Sequence, residues 1–323
     1  MTAGSHPLAG LVAELAGDVR EVVLPELGRA GGRAHAGAGA GGDVTFAIDE
    51  RAEARMEEHL AEHAPDVAFY SEDRGLVIPA GEPRWVLVVD PIDGTRPAMA
   101  GLESACVSVA AAPLDGEPAM ADVEVGCVVE IKTGSRFVAV RGAGVEPRPR
   151  LSGQSSVERM LWTYGFRGRP AVATAIVLEE LIDGSSVAGG TFDLGSATYD
   201  MTRIVTGQLD AYVEPGPRMI EEVGWMRAEF ERIGRGAVLN NSPYDLAAAA
   251  LILEEAGAVV TDARGSPLGG RPLLGSGHEF QMSCVCAANA ELHAAIVAAL
   301  DAGIERLRGA GPPASRPLAD GPP

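Results

Sequence analysis

The chain has 323 residues, 46% apolar and 22% charged, which allows a sizeable core and excludes wholesale disorder. At about 100–200 residues per domain, that length fits two domains or one large one. Acidic residues outnumber basic ones by 45 to 26, and the net charge of −19, with no Lys/Arg-rich run, points away from nucleic acid and from anionic membranes.

Residues 8–28 carry Leu11, Val12, Leu15, Val19, Val22, Val23 and Leu27 at helical spacing and stop at Gly28. The Gly/Ala-rich stretch 28–42 has too few bulky side chains to pack and reads as a mobile loop. A second helix is predicted over 48–63, ended by Pro65, with His59 and His63 on a solvated face. Strands are predicted at 67–70, 85–89, 105–112, 125–131 and 136–140, separated in the later part by turn dipeptides. Residues 1–154 are therefore expected to form an α+β half.

From residue 155 the rhythm changes. Strands are expected at 161–164, 210–213, 258–261 and around Cys284, and helices at 171–182, 198–206, 246–256 and 290–307. This alternation predicts an α/β half over 155–308. The Pro/Gly/Ala-rich tail 309–323 is expected to be disordered. No secretory pattern is visible in residues 1–20, and no apolar stretch approaches the roughly 20 residues of a membrane span, so a cytoplasmic location is expected. Four cysteines make no disulfide framework. Cys284-Val-Cys286 reads as buried strand, because no second ligand pair accompanies it.

Three acidic clusters stand at element boundaries: Ser71-Glu72-Asp73, Asp90-Pro91-Ile92-Asp93-Gly94-Thr95 and Tyr244-Asp245. Singly, each has a plain structural reading as a solvated turn, a turn dipeptide or an N-cap. The second is the most specific. Asp90 and Asp93 flank a proline-fixed turn at the end of the most apolar strand. Carboxylates that close repel unless a cation joins them, and hard oxygen ligands favour Mg²⁺, Mn²⁺ or Ca²⁺ over zinc. Gly94 allows close backbone approach, and Thr95 opens a short helix whose N–H groups suit a phosphate.

Asp90-Pro91-Ile92-Asp93-Gly94-Thr95 resembles the signature of the inositol monophosphatase and fructose-1,6-bisphosphatase superfamily. Thr45 to Glu53, Ser71-Glu72-Asp73, Gly195-Ser196-Ala197, Gly207 to Glu214 and Tyr244 to Gly257 resemble its other segments in the same order, so the likeness spans about residues 8–305. It implies a five-layered α/β/α/β/α sandwich with the site between the halves. It implies that Glu72, Asp90 and the Ile92 carbonyl hold one Mg²⁺, that Asp90, Asp93 and Asp245 hold a second, and that Glu72 supports a third. Mn²⁺ is a candidate substitute. Thr95 and Asp49, with Glu72, would orient and deprotonate the attacking water, and the Gly94 and Thr95 amides would hold phosphate. Ser196, Ala197, Glu214 and Tyr244 would contact substrate. A Mg²⁺-dependent phosphomonoesterase acting on a small phosphorylated polyol, sugar or nucleotide follows, as a lithium-sensitive homodimer.

Rival readings are a fructose-1,6-bisphosphatase, a histidinol-phosphate or 3′-phosphoadenosine-5′-phosphate phosphatase, and a metal-binding member without turnover. The departures bear on substrate. Pro97-Ala98 stand where inositol-type members have Asn-Phe, Phe192 stands where they have Arg, and Tyr244 where they have Trp. A basic residue of their mobile loop has no counterpart here unless Arg33 serves. Residues 215–241 form an insertion with one predicted helix over 220–233, expected to shape the leaving-group pocket. Its Arg218, Arg227, Arg232 and Arg235 are the expected cations for any second phosphate.

Overall fold

The computed structural model describes residues 6–29, 35–38 and 44–312. Helices α1 (Ala9–Val23) and α2 (Ala47–His63) lie on one face of a seven-stranded sheet. Its strands are β3 (Ala68–Ser71), β4 (Gly75–Val77), β5 (Trp85–Asp93), β6 (Cys106–Pro113), β7 (Val125–Glu130), β8 (Arg136–Val140) and β9 (Gly144–Glu146), in the order β4-β3-β5-β6-β7-β8-β9. Only the β3–β5 pair is parallel. Helices α5 (Ala197–Thr206) and α8 (Pro243–Ala256) fill the space between this sheet and a second one. The second sheet runs β11 (Gly190–Phe192), β10 (Leu161–Tyr164), β12 (Ala211–Glu214), β14 (Cys284–Ala287) and β13 (Val259–Thr261). Helices α4 (Ala171–Ser185) and α9 (Ala290–Ala310) cover its far face. The result is the expected α/β/α/β/α order of five layers.

Period-two alternation sorts side chains between layers. On β5, Val86 and Val88 join the central core with α8, whereas Leu87 and Val89 join the outer core with α1 and α2. A strand covered on both faces reads as an unbroken apolar run, which is what the sequence shows. Cys284 and Cys286 likewise face the central core, both free and buried, while Val285 faces the outer one.

Several boundaries differ from the sequence reading. Helix α1 ends at Val23 rather than 28, because Pro25 has no N–H to continue it, and Leu24–Glu26 tighten into a 3-10 turn. Within the stretch 28–42, His35–Ala38 form strand β1, paired antiparallel with β2 (Val44–Phe46); ladder bonds need backbone only, so a Gly/Ala stretch gives no side-chain warning. Residues 30–34, Arg33 included, and 39–42 lie outside the described residues. Helix α9 runs through Gly309 and Ala310, residues assigned to the tail, while 313–323 lie outside the described residues. The insertion holds two helices, α6 (Gly216–Glu222) and α7 (Met226–Ile233), not one. Met219, Val223, Met226 and Phe230 from them enter the outer core beside β12 and β14. His59 is 2% exposed, and its Nδ1 lies 2.9 Å from Asp18 Oδ2 on α1, so it is a helix–helix contact and not a solvated face. That hydrogen bond and Arg55 hold the Asp18 carboxyl below its ordinary value.

Candidate metal centre

The end of β5 builds the site. Asp90 and Asp93 are three residues apart, so a regular strand would point them to opposite faces. The ladder with β6 pairs Asp90 with Ser108 and Asp93 with Cys106, three steps against two. This bulge restores both carboxylates to one side. Pro91 suits it, having no N–H to leave unpaired. Gly94 then turns the chain at φ 92°, and a Cβ there would meet the Ser104 carbonyl oxygen at 2.5 Å. Helix α3 (Thr95–Ala100) follows.

Asp245 arrives from the other half, at the third position of α8, directly across from this strand end. Carboxylate oxygens of Asp90, Asp93 and Asp245 all lie within 4.8 Å of one another. Each carboxylate is held by one oxygen. Asp90 Oδ1 accepts from the Ile92 N–H at 3.0 Å. Asp93 Oδ2 accepts from Ser196 Oγ at 2.8 Å and from the Thr198 N–H at 2.6 Å. Asp245 Oδ2 accepts from the Ser242 N–H at 2.6 Å, closing the capping box of α8. The second oxygen of each is left for the recess they enclose.

That recess is lined by Glu72, Asp90, Ile92, Asp93, Gly94, Thr95, Arg96, Arg167, Gly195 and Asp245. Every residue expected to hold metal or phosphate is therefore brought together. Burial pushes the Asp90 carboxyl well above the carboxylate range, with repulsion from Asp93, Glu72 and Asp245 adding to it. Burial raises Asp93 as well, against the bonds from Thr198 and Ser196. Asp245 is pushed up to about 8, by burial first and by Asp93 second. Three hard-oxygen donors, two buried and one half-buried, that resist ionising together fit a divalent cation of the Mg²⁺ type, which would remove the repulsion.

The turn carrying Glu72 is held from α2. Buried Glu53 accepts from Ser71 Oγ at 2.9 Å and from the Asp73 N–H at 3.3 Å, gripping the residues on either side of Glu72. Burial raises the Glu53 carboxyl to about 7, against the Ser71 and Asp73 hydrogen bonds.

Other expected site residues fall in different places. Thr95 Oγ1 donates to the Ile92 carbonyl at 3.2 Å. Asp49 does not line the recess; its Oδ2 accepts from the Phe46 N–H at 2.8 Å in the first turn of α2. Ser196 spends its hydroxyl on Asp93 and on capping α5 through the Tyr199 N–H, so it positions a carboxylate. Ala197 lines a chamber beside the recess, and Tyr244 lines the side next to Glu72, its ring stacked on Tyr70 at 6.4 Å.

Glu214 is a correction. It has no exposed surface, pairs with Arg169 and accepts from the Gly216 N–H at 2.8 Å, so it meets a guanidinium where a substrate contact is expected. Three of the four insertion arginines are a second correction. Arg218 is spent on Glu222 and Asp301, Arg227 on Glu231 and Arg232 on Glu229. The arginines at the recess are Arg96, from α3, and Arg167, from the turn after β10, which also brings Arg169 to the chamber beside it. The one sequence signal of that turn is Arg167-Gly-Arg169-Pro170 directly after a strand, in a chain short of basic residues. The insertion reaches the chamber only through Asn240 and Asn241 at its end.

A model of the inositol monophosphatase family matches residues 6–305. The fructose-1,6-bisphosphatase/inositol-1-monophosphatase of Methanothermobacter thermautotrophicus is 29% identical over 304 residues, covering 90% of this chain and 96% of that protein. The Nus factor SuhB of Xylella fastidiosa is 27% identical over 231 residues, covering 69% of this chain and 70% of its own. The solved structure of an IMPase from Thermotoga maritima shares the fold, with a TM-score of 0.66 at 20% identity over 92% of this chain and 98% of that one. With the family model matching nearly its whole length, the chain belongs to the inositol monophosphatase family.

Proposed function

We propose that this chain is a Mg²⁺-dependent phosphomonoesterase that hydrolyses a small phosphate ester in the recess between β5 and α8. The convergence of three carboxylates within 4.8 Å, those of Asp90 and Asp93 buried and that of Asp245 half-buried, carries this reading. Asp90, Asp93, Asp245, Glu72 and the Ile92 carbonyl are the residues that would hold two or three ions, Mg²⁺ or Mn²⁺. A bound divalent cation supplies the positive charge that acidifies water and offsets the charge of the phosphate.

The chain's own groups do the positioning. Thr95, at the start of α3, would orient the water, and its hydroxyl would turn from the Ile92 carbonyl to pass the water's proton toward Asp49 at the start of α2. Gly94 and Thr95 hold the phosphate by backbone N–H groups. Arg167 lines the recess and already offsets Asp93 and Asp245, so it is placed to meet phosphate charge. The attack needs no covalent enzyme intermediate. A homodimer inhibited by Li⁺ and working in the cytoplasm completes the reading.

The test is phosphate release from a library of phosphate esters with and without Mg²⁺. Release that requires Mg²⁺ and is lost in Asp90→Asn supports the proposal. A well-folded, Mg²⁺-binding sample that hydrolyses nothing across the library would favour a member that binds without turnover, a reading that relatives named Nus factor keep in view.

A further inference from the structure

The carboxylates at the recess are not all fixed in the same way. Asp90, Asp93 and Asp245 are held by hydrogen bonds from their own strand end, from α5 and from the capping box of α8. Glu72 stands instead on the turn between β3 and β4, at the edge of the seven-stranded sheet, where Ser71 pairs with Gly75. Strand β4 has only three residues, and its Leu76 and Val77 are exposed. A two-stranded edge this short fixes its turn weakly by ladder bonds alone.

The grip comes from α2. Glu50, Glu53 and Glu57 recur there at i, i+3 and i+7, so they share one face of the helix. Glu53 Oε2 accepts from Ser71 Oγ, and its Oε1 accepts from the Asp73 N–H. Ser71 Oγ in turn accepts from the Arg74 N–H at 3.3 Å. The Arg74 guanidinium then reaches along the helix, with Nη2 donating to Glu50 at 3.0 Å and Nε to Glu57 at 2.6 Å. The residues on both sides of Glu72 are thus tied to three successive turns of α2. The same helix carries Asp49, one turn before Glu53. Stability alone does not call for this arrangement. Burying the Glu53 carboxylate is costly, and the Arg74 pairs lie partly in water, where ion pairs add little.

We propose that Glu53 and Arg74 are positioning residues that hold Glu72 to the metal recess. The ion that rests on Glu72 depends on them, and the ion that rests on Asp93 and Asp245 does not. The proposal rests on the reading of Glu72 as a metal ligand given above.

The experiment titrates Mn²⁺ into the metal-free full chain, with free Mn²⁺ read by electron paramagnetic resonance. Arg74→Ala and Ser71→Ala should each weaken one class of bound ion about tenfold, the scale of a lost hydrogen bond to a charged group. The remaining ions should stay within about twofold of wild type. Glu53→Ala removes both acceptors and should weaken the same ion further; if it does not fold, the other two variants decide. In chelator, Arg74→Ala should melt within about 2 °C of wild type, since its pairs are partly exposed. Adding Arg74→Ala to Glu72→Gln should change Mn²⁺ binding no further, because Arg74 acts only through Glu72. The Mg²⁺ needed for half-maximal phosphate release should rise in step, and excess Mg²⁺ should restore kcat, a rescue that a merely structural contact would not show. Unchanged Mn²⁺ binding in Arg74→Ala and Ser71→Ala, equal weakening of every ion, or a full further loss in the Glu72→Gln background would overturn the proposal. If Glu72→Gln itself binds Mn²⁺ like wild type, the reading of Glu72 as a ligand fails and the proposal falls with it. If Glu72→Gln loses an ion and the other variants do not, the proposal alone fails.

Discussion

Two kinds of buried charge lie within the same few layers of this molecule. Glu214 with Arg169 and Glu130 with Arg203 are carboxylates the chain has paired with its own guanidinium groups. Asp90, Asp93 and Asp245 are carboxylates gathered against one another, their ionisation opposed by burial and by mutual repulsion. The first arrangement is complete as folded. The second is one that a cation from outside would complete. Burial alone does not separate structural from functional acids; the difference is whether the chain supplies the counter-charge.

The largest expected effect breaks the second arrangement. Asp90→Asn should reduce Mg²⁺-dependent phosphate release about a thousandfold or more. The same change should raise the melting temperature of the metal-free protein at pH 8, because it removes a charge the fold resists. Steady-state kinetics and a thermal melt in chelator check both halves, and a lower melting temperature would contradict the contrast.

Breaking the first arrangement should do the opposite. Glu214→Gln leaves Arg169 buried and unpaired, and should cost about 3–5 kcal/mol of stability with or without Mg²⁺, read by denaturant unfolding. The control is that Mg²⁺ still stabilises this variant.

The pH dependence sharpens the same comparison. A carboxyl whose folded value lies above its unfolded one keeps its proton longer in the native state, so stability falls as pH rises between the two values. For Asp245 that window runs from its ordinary 3.8 to about 8, and for Glu53 from 4.5 to about 7. Metal-free protein should therefore lose stability from pH 4 to pH 8. Saturating Mg²⁺ should remove most of the loss above pH 7 and leave the Glu53 share, roughly 3 kcal/mol, below it. The smallest effect belongs to Ser196→Ala, which removes one donor from Asp93. It should weaken Mg²⁺ binding only about three- to tenfold, since the Thr198 N–H still holds the same oxygen.

The metal centre was more legible in the sequence than its surroundings. Asp90 to Thr95 forms a contiguous motif because one bulged strand end supplies most of the donors, although the bulge itself leaves no compositional mark. Asp245 was readable as an acidic residue opening a helix. The side chamber was not. Arg169, Asp193, Asp200 and Asn240 come from four separate segments, and only the packing of α5 against the turn after β10 joins them. The insertion arginines misled for the same reason: nearness in sequence to Asp245 did not show that Arg218 is spent on Glu222 and Asp301. His59 misled because Asp18, its partner, lies on another helix.

The most direct test of the cation-completed site is calorimetric titration of Mg²⁺ into chelator-treated protein at pH 7.5, in two buffers of different ionisation enthalpy. The account predicts saturable binding with release of protons, because the Asp245 carboxyl, pushed up to about 8, still holds part of its proton at pH 7.5, and loss of that binding in Asp90→Asn. Absence of saturable binding, or binding unchanged in Asp90→Asn and without proton release, would contradict it.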